Sequence, residues 1–189
     1  MTRHRRLTAL VTVAALTILS VAACAVVTVN SYTNGAFEIG RYHTYTWGPA
    51  DTFGTGDPRL DNNPFFEDRV RQQVERQLGA RGFEKTTAAP DLLVHYHASV
   101  TQKINTRELD RGNARCSTED CRPEVYDAGT LVVDLMDPRA DVLLWRGWAE
   151  GAVDGVIDNQ TWLEERIDDA VLRILRRLPP AVQTHGDGR

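Results

Sequence analysis

The chain carries none of the short signatures that announce a reaction. It has no G-x-S-x-G nucleophile elbow, no H-E-x-x-H, no paired-carboxylate signature and no phosphate loop. Gly54-Thr55-Gly56 lacks the lysine and the helix context that a phosphate loop needs. Cysteine is scarce, at three in 189 residues. No stripe of basic residues with interleaved aromatics appears, which argues against nucleic acid as a partner. No internal repeat and no linker divides the sequence, so it reads as one domain of ordinary size.

The most informative segment is the N-terminus. Met1-Thr2-Arg3-His4-Arg5-Arg6 is followed by apolar and small residues from Leu7 to Ala23, and Val21-Ala22-Ala23 stand directly before Cys24. A charged start, a short apolar run and small residues at the cut make a secretory signal over residues 1–23. The cysteine at the cut makes it resemble a bacterial lipoprotein signal, in which Cys24 carries thioether-linked diacylglycerol and an acylated amine. The competing reading is an uncleaved span, since Leu7 to Val29 exceeds the ~20 apolar residues a bilayer requires. That stretch is rich in Ala, Val and Thr rather than Leu, and the cysteine sits where cleavage would place it. The lipoprotein reading is therefore preferred. Residue Ala25 rather than Asp after the cysteine points, in a two-membrane bacterium, to the outer membrane facing the periplasm.

Cleavage before Cys24 removes Arg3, Arg5 and Arg6. The 22 basic residues fall to 19 against 26 acidic ones, and the formal charge moves from −4 to −7. An acidic domain gains nothing from anionic headgroups. By this reading the lipid alone does the anchoring, at ~0.8 kcal/mol per buried methylene. Cys116 and Cys121 remain, in Cys116-Ser-Thr-Glu-Asp-Cys121. An even pair in an exported chain reads as a disulfide stapling a local loop. Free thiols, or zinc with His95 and His97, are the alternatives.

Along the mature chain, Val26, Val27 and Val29 predict a short strand, Asn34-Gly35 a turn, and Arg41 to Trp47 a second strand ended by Gly48-Pro49. After a loop from Ala50 to Asn63, Asn63-Pro64 predicts a helix start, and Phe66, Val70, Val74 and Leu78 its buried stripe. Pro90-Asp91 opens a strand in which Leu92, Val94, Tyr96, Ala98 and Val100 face one way, and Leu93, His95, His97, Ser99 and Thr101 the other. Gln102 to Asp127 reads as a long charged loop. Gly129–Asp137 and Val142–Ala152 read as a hairpin, with Leu143, Trp145, Gly147 and Ala149 continuing the apolar face of Leu131, Val133 and Leu135. Thr161-x-x-Glu164 predicts a capping box for a final helix striped by Leu163, Ile167, Ala170, Val171, Ile174, Leu175 and Leu178. Pro179-Pro180 stops that helix, and residues 181–189 read as a disordered tail. Two one-faced helices on one side of a mainly antiparallel sheet make an α+β two-layer sandwich over residues 24–180.

Four segments carry a family resemblance: Tyr42-His43-Thr44-Tyr45-Thr46-Trp47, Pro90-Asp91-Leu92-Leu93-Val94-His95-Tyr96-His97, Gly129 to Asp137, and Trp145-Arg146-Gly147-Trp148. Set behind the cysteine signal, they resemble bacterial lipoproteins of domain-of-unknown-function family 4136, from about Val29 to Pro180. The Cys116 to Cys121 insert departs from the usual pattern. The resemblance implies fold and envelope location; it brings no activity and no catalytic residues.

One face of the domain holds the residues with chemical potential. His95 and His97, two apart on a strand, would form half a metal site if Asp134 joined them; the bland reading is a polar outer face. Asp134 and Arg146 lie across the hairpin, directly opposed in one register and one pair out of step in the other, and read as a cross-strand ion pair. Trp148 falls beside Arg146 and is either a recognition residue or a half-covered packing residue. The expectation is a non-catalytic binding or structural domain with no metal and no cofactor. It would be held to a membrane by Cys24 and dock another envelope protein, a lipid-handling complex or cell-wall material, with His95, His97, Asp134, Arg146 and Trp148 as the candidate binding face. The alternatives are an envelope hydrolase using His95, His97 and Asp134, or a carrier of an apolar ligand between sheet and helices.

Overall fold

The structure is a computed structural model that describes residues 27–50, 53–61, 63–105 and 125–180. The signal segment, Cys24, the Cys116–Cys121 pair and residues 181–189 lie outside the described residues. In chain order the elements are β1 (Thr28–Thr33), a 3-10 turn (Ile39–Arg41), β2 (Thr44–Trp47), α1 (Pro64–Gly79), β3 (Glu84–Lys85), β4 (Leu92–Ile104), β5 (Val125–Asp137), β6 (Val142–Ala152) and α2 (Gln160–Leu175). The strands form one sheet in the order β1-β6-β5-β4-β2-β3. Pairing is antiparallel from β1 through β4 and parallel at β4/β2 and β2/β3. Both helices cover one face, giving an α+β two-layer arrangement on a mixed, mostly antiparallel sheet.

Helix α1 starts where Asn63 accepts from the amides of Phe65 (3.1 Å) and Phe66 (3.3 Å), with Pro64 in the first turn. Its end is closed by Gly82, at φ 86°, whose amide donates to Gly79 O at 3.0 Å while that of Phe83 donates to Leu78 O at 3.1 Å. This is a Schellman closure, with the expected contact partners Leu78 and Phe83 both buried. The two helices run in the same direction. Arg69 forks Asp168 at 2.7 and 2.6 Å, and Arg81, just past α1, donates to Leu175 O.

Beneath them Val94, Val133, Leu135 and Trp145 are fully buried against Val70, Val74, Val171 and Ile174. Truncating such a residue to alanine costs ~2–5 kcal/mol.

Several sequence expectations need correction. The first strand runs from Thr28 to Thr33, later than Val26 to Val29 implied, because it pairs with β6 as far as Trp145. Arg41 belongs to a 3-10 turn, so β2 begins at Thr44. Strands β4 and β5 extend into the predicted loop, pairing out to Ile104 and Val125. Leu143 is not on the core face. A bulge sets Leu135 opposite Trp145 but Met136 opposite Leu143, so Leu144 is the extra residue and the buried one. Finally, Thr161 is not the cap of α2. Asn159, in extended conformation, accepts from the Trp162 amide at 3.1 Å, and Gln160 is the first helical residue. Asparagine two positions earlier outcompetes threonine as a cap.

Candidate functional site

The face of the sheet opposite the helices is covered by no described helix. Its centre is the aligned row Tyr32, Arg146, Asp134, His95, and the row beside it is Asn30, Trp148, Val132, His97. The bulge at Leu144 selects the register in which Asp134 and Arg146 are directly opposed. Strand alternation thus brings all five candidate residues onto one surface.

Asp134 is only 2% exposed, although it lies on the uncovered face. Arg146 closes over it with a two-point fork, Nε donating to Oδ1 at 2.7 Å and Nη2 to Oδ2 at 2.6 Å. The fork pushes the guanidinium of Arg146 above its ordinary range, with burial opposing. His97 Nε2 stands 3.6 Å from Asp134 Oδ2, outside hydrogen-bond distance.

The two histidines do not converge. A β-carbon placed on Gly48 would lie 2.0 Å from His95 Cε1, 2.2 Å from Nε2 and 2.8 Å from Nδ1. The His95 ring therefore leans toward β2 and rests over Gly48, while His97 leans the other way, toward Asp134 on β5. Among the described residues no three His, Cys, Asp or Glu side chains gather as metal ligands. Trp148 is half-buried, and Tyr32, which the sequence reading passed over, is 51% exposed next to Arg146. A strand of alternating Asn30 and Tyr32 at the start of the domain was the signal that would have found it.

On the helix side, an apolar cavity of about 70 Å³ lies among Leu60, Phe66, Val100, Leu131, Ile167 and Ala170. Ligand sites generally occupy ~300–1,000 Å³. No described helix is long and apolar enough to cross a membrane.

The profile of the family described as a domain of unknown function (DUF4136) matches residues 28–180. The chain belongs to the DUF4136 family. This agrees with the resemblance carried by the β2, β4, β5 and β6 segments. Among solved structures, the DUF4136 domain is similar to a PDZ domain protein from Parabacteroides distasonis, at 16% identity and a TM-score of 0.50. That match covers 80% of this chain and 35% of the other, so the chain spans about a third of that protein's length. A DUF4136 family protein from Bacteroides thetaiotaomicron aligns at 8% identity and a TM-score of 0.45, covering 76% of this chain and 92% of that one. A minor lipoprotein from Acinetobacter baumannii aligns at 14% identity and a TM-score of 0.38, covering 72% and 91%. None of the curated proteins matches the chain.

Proposed function

We propose that this DUF4136 protein is a non-catalytic binding or structural module of the bacterial cell envelope, anchored by lipid on Cys24 to the outer membrane and facing the periplasm. The signal over residues 1–23 supports the anchor, and the oxidising compartment it implies supports a Cys116–Cys121 disulfide. The observation that carries the binding role is the state of Asp134. Both its oxygens are held by Arg146 and it is almost closed to solvent, so it is spent on organising the open face rather than poised for proton transfer. Around it the face offers Tyr32, Trp148 and the exposed edge of Arg146, the residue types that dominate protein recognition.

The hydrolase alternative has one observation in its favour, the 3.6 Å approach of His97 to Asp134. The carrier alternative has the 70 Å³ cavity, which is small for a lipid.

A photo-crosslinking residue at Tyr32, in cells, tests the reading against one at Phe65, which is 72% exposed on the helix side. A discrete adduct from Tyr32 alone, abolished by Trp148→Ala, is expected. Equal labelling from both positions would remove the case for the open face. Cys24→Ser should abolish palmitate labelling of the protein.

A further inference from the structure

Three arginines gather where the C-terminal end of α2 lies beside the start of β1. Val27 and Val29, at the start of β1, line one recess of about 250 Å³ with Arg173, Arg176 and Arg177 of α2 and the turn after it. Spacings of three and four residues put the three guanidinium stems on one side of the helix. Arg173 is half-buried and pairs with Asp169 at 2.7 Å. Arg176 and Arg177 are exposed, and no carboxylate among the described residues pairs with them. We infer that this end of α2 is the membrane-facing surface of the domain and contacts the phosphates of anionic phospholipid headgroups. The inference rests on the lipid-anchored reading of Cys24.

Distance supports it. Val27 lies three residues after Cys24, so a fully extended chain separates them by at most ~10–11 Å. The headgroup layer on each side of a bilayer is itself ~5–7 Å deep. Charges screened over ~8 Å at physiological salt would still sense the phosphates from that position. A cation at a helix C-terminus is also favoured by the helix dipole. That accounts for arginine at the end of α2, but not for its placement beside Val27 and Val29, among the first described residues after Cys24 in the chain. Against a mature formal charge of −7, a basic rim beside the start of β1 is a local departure. It departs from the expectation that an acidic domain gains nothing from anionic headgroups, because net charge says nothing about which end faces the bilayer. Each arginine held at an anionic surface strengthens contact about fivefold.

The protein as extracted from its own membranes, reconstituted into phosphatidylcholine vesicles with and without phosphatidylglycerol, provides the test. Flotation reports anchoring; amide hydrogen exchange over residues 27–33 and 170–178 reports the contact. Flotation with both vesicles is expected, with exchange slowed several-fold only where phosphatidylglycerol is present. High salt should remove the protection, and so should the triple variant Arg173→Gln, Arg176→Gln, Arg177→Gln. The salt arm stands even if that variant folds poorly. Flotation with both vesicles but equal exchange in both would overturn the inference and leave the anchor intact. Protection by inorganic phosphate on neutral vesicles would also overturn it, making the recess an ion site. Salt-sensitive flotation with phosphatidylglycerol alone would reject the lipid anchor yet support the arginine contact, and flotation with neither would reject both.

Discussion

Gly147 has no room for a β-carbon because Trp145, two residues earlier on the same strand, lays its indole across it. A β-carbon there would sit 2.3 Å from Trp145 Cη2 and 2.7 Å from Ile174 Cγ2. Trp145 is fully buried and Ile174 belongs to α2, so the glycine sets how closely the helix approaches β6. Gly147→Ala should destabilise the domain by ~1–3 kcal/mol through overpacking. In a domain of this size that lowers the thermal midpoint by several degrees. An unchanged midpoint would mean the indole has another place to go.

The Arg146–Asp134 fork predicts a non-additive pair. Arg146→Met leaves a carboxylate buried without its partner and should cost ~2–3 kcal/mol, below the usual range for a buried pair because Arg146 is itself 43% exposed. Replacing Asp134 as well, by leucine, should recover most of that loss. Urea unfolding of the two single variants and the double variant measures the coupling. Additive losses would show that the fork is ornamental to stability.

Asp91, just before β4, clasps the start of β2 and predicts pH dependence. Asp91 Oδ2 accepts from the amides of His43 and Thr44, each at 2.9 Å, and from Thr44 Oγ1 at 3.0 Å, while its own amide donates to Thr44 Oγ1 at 3.1 Å. The two backbone amides, then the hydroxyl, hold the Asp91 carboxyl below the ordinary carboxylate range. The folded protein therefore binds this proton less tightly than the unfolded chain. The stabilisation is fully present above the unfolded value of ~3.9 and is lost as pH falls through the lower folded value. Asp91→Asn should cost about 1 kcal/mol at neutral pH, the charge-assisted value trimmed by solvent screening. The gap between wild type and variant should close in acid. A gap that persists unchanged at about pH 3 would contradict the assigned cause.

The start of α2 gives a prediction in which two nearby residues compete. Asn159→Ala removes the acceptor for the Trp162 amide and should cost ~1 kcal/mol, whereas Thr161→Ala, inside the first turn, should cost much less. Chemical denaturation of both variants decides it, and the reverse order would restore the Thr161 capping box.

These cases mark what was legible in the chain. The alternation of β4 and the stripes of α1 and α2 were readable because each has a single apolar period. Leu143-Leu144 was not, since two adjacent leucines satisfy either phase and only the bulge chooses between them. Strand β3 is two charged residues, Glu84 and Lys85, held by backbone bonds such as Glu84 N to His43 O at 2.8 Å, and leaves no apolar pattern. The open face was legible as a set, and the pairing of Asp134 with Arg146 to within one register. The tilt of His95 was not, because it depends on Gly48, which in the sequence marks only the end of a strand.

That tilt underlies the last prediction. A catalytic zinc site generally needs three protein ligands with the rings oriented by further hydrogen bonds. His95 rests over Gly48 toward β2, His97 leans toward β5, and Asp134 is already forked by Arg146. Bringing the three together would require lifting His95 off Gly48 and breaking both hydrogen bonds of the fork. Chelator should therefore leave the wild-type thermal midpoint unchanged. The His95→Ala, His97→Ala double variant should melt within a few degrees of wild type, with the larger share of any loss coming from the packing of His95. Zinc at one equivalent in protein purified without added metal, and absent from the double variant, would show that the rings do converge in solution.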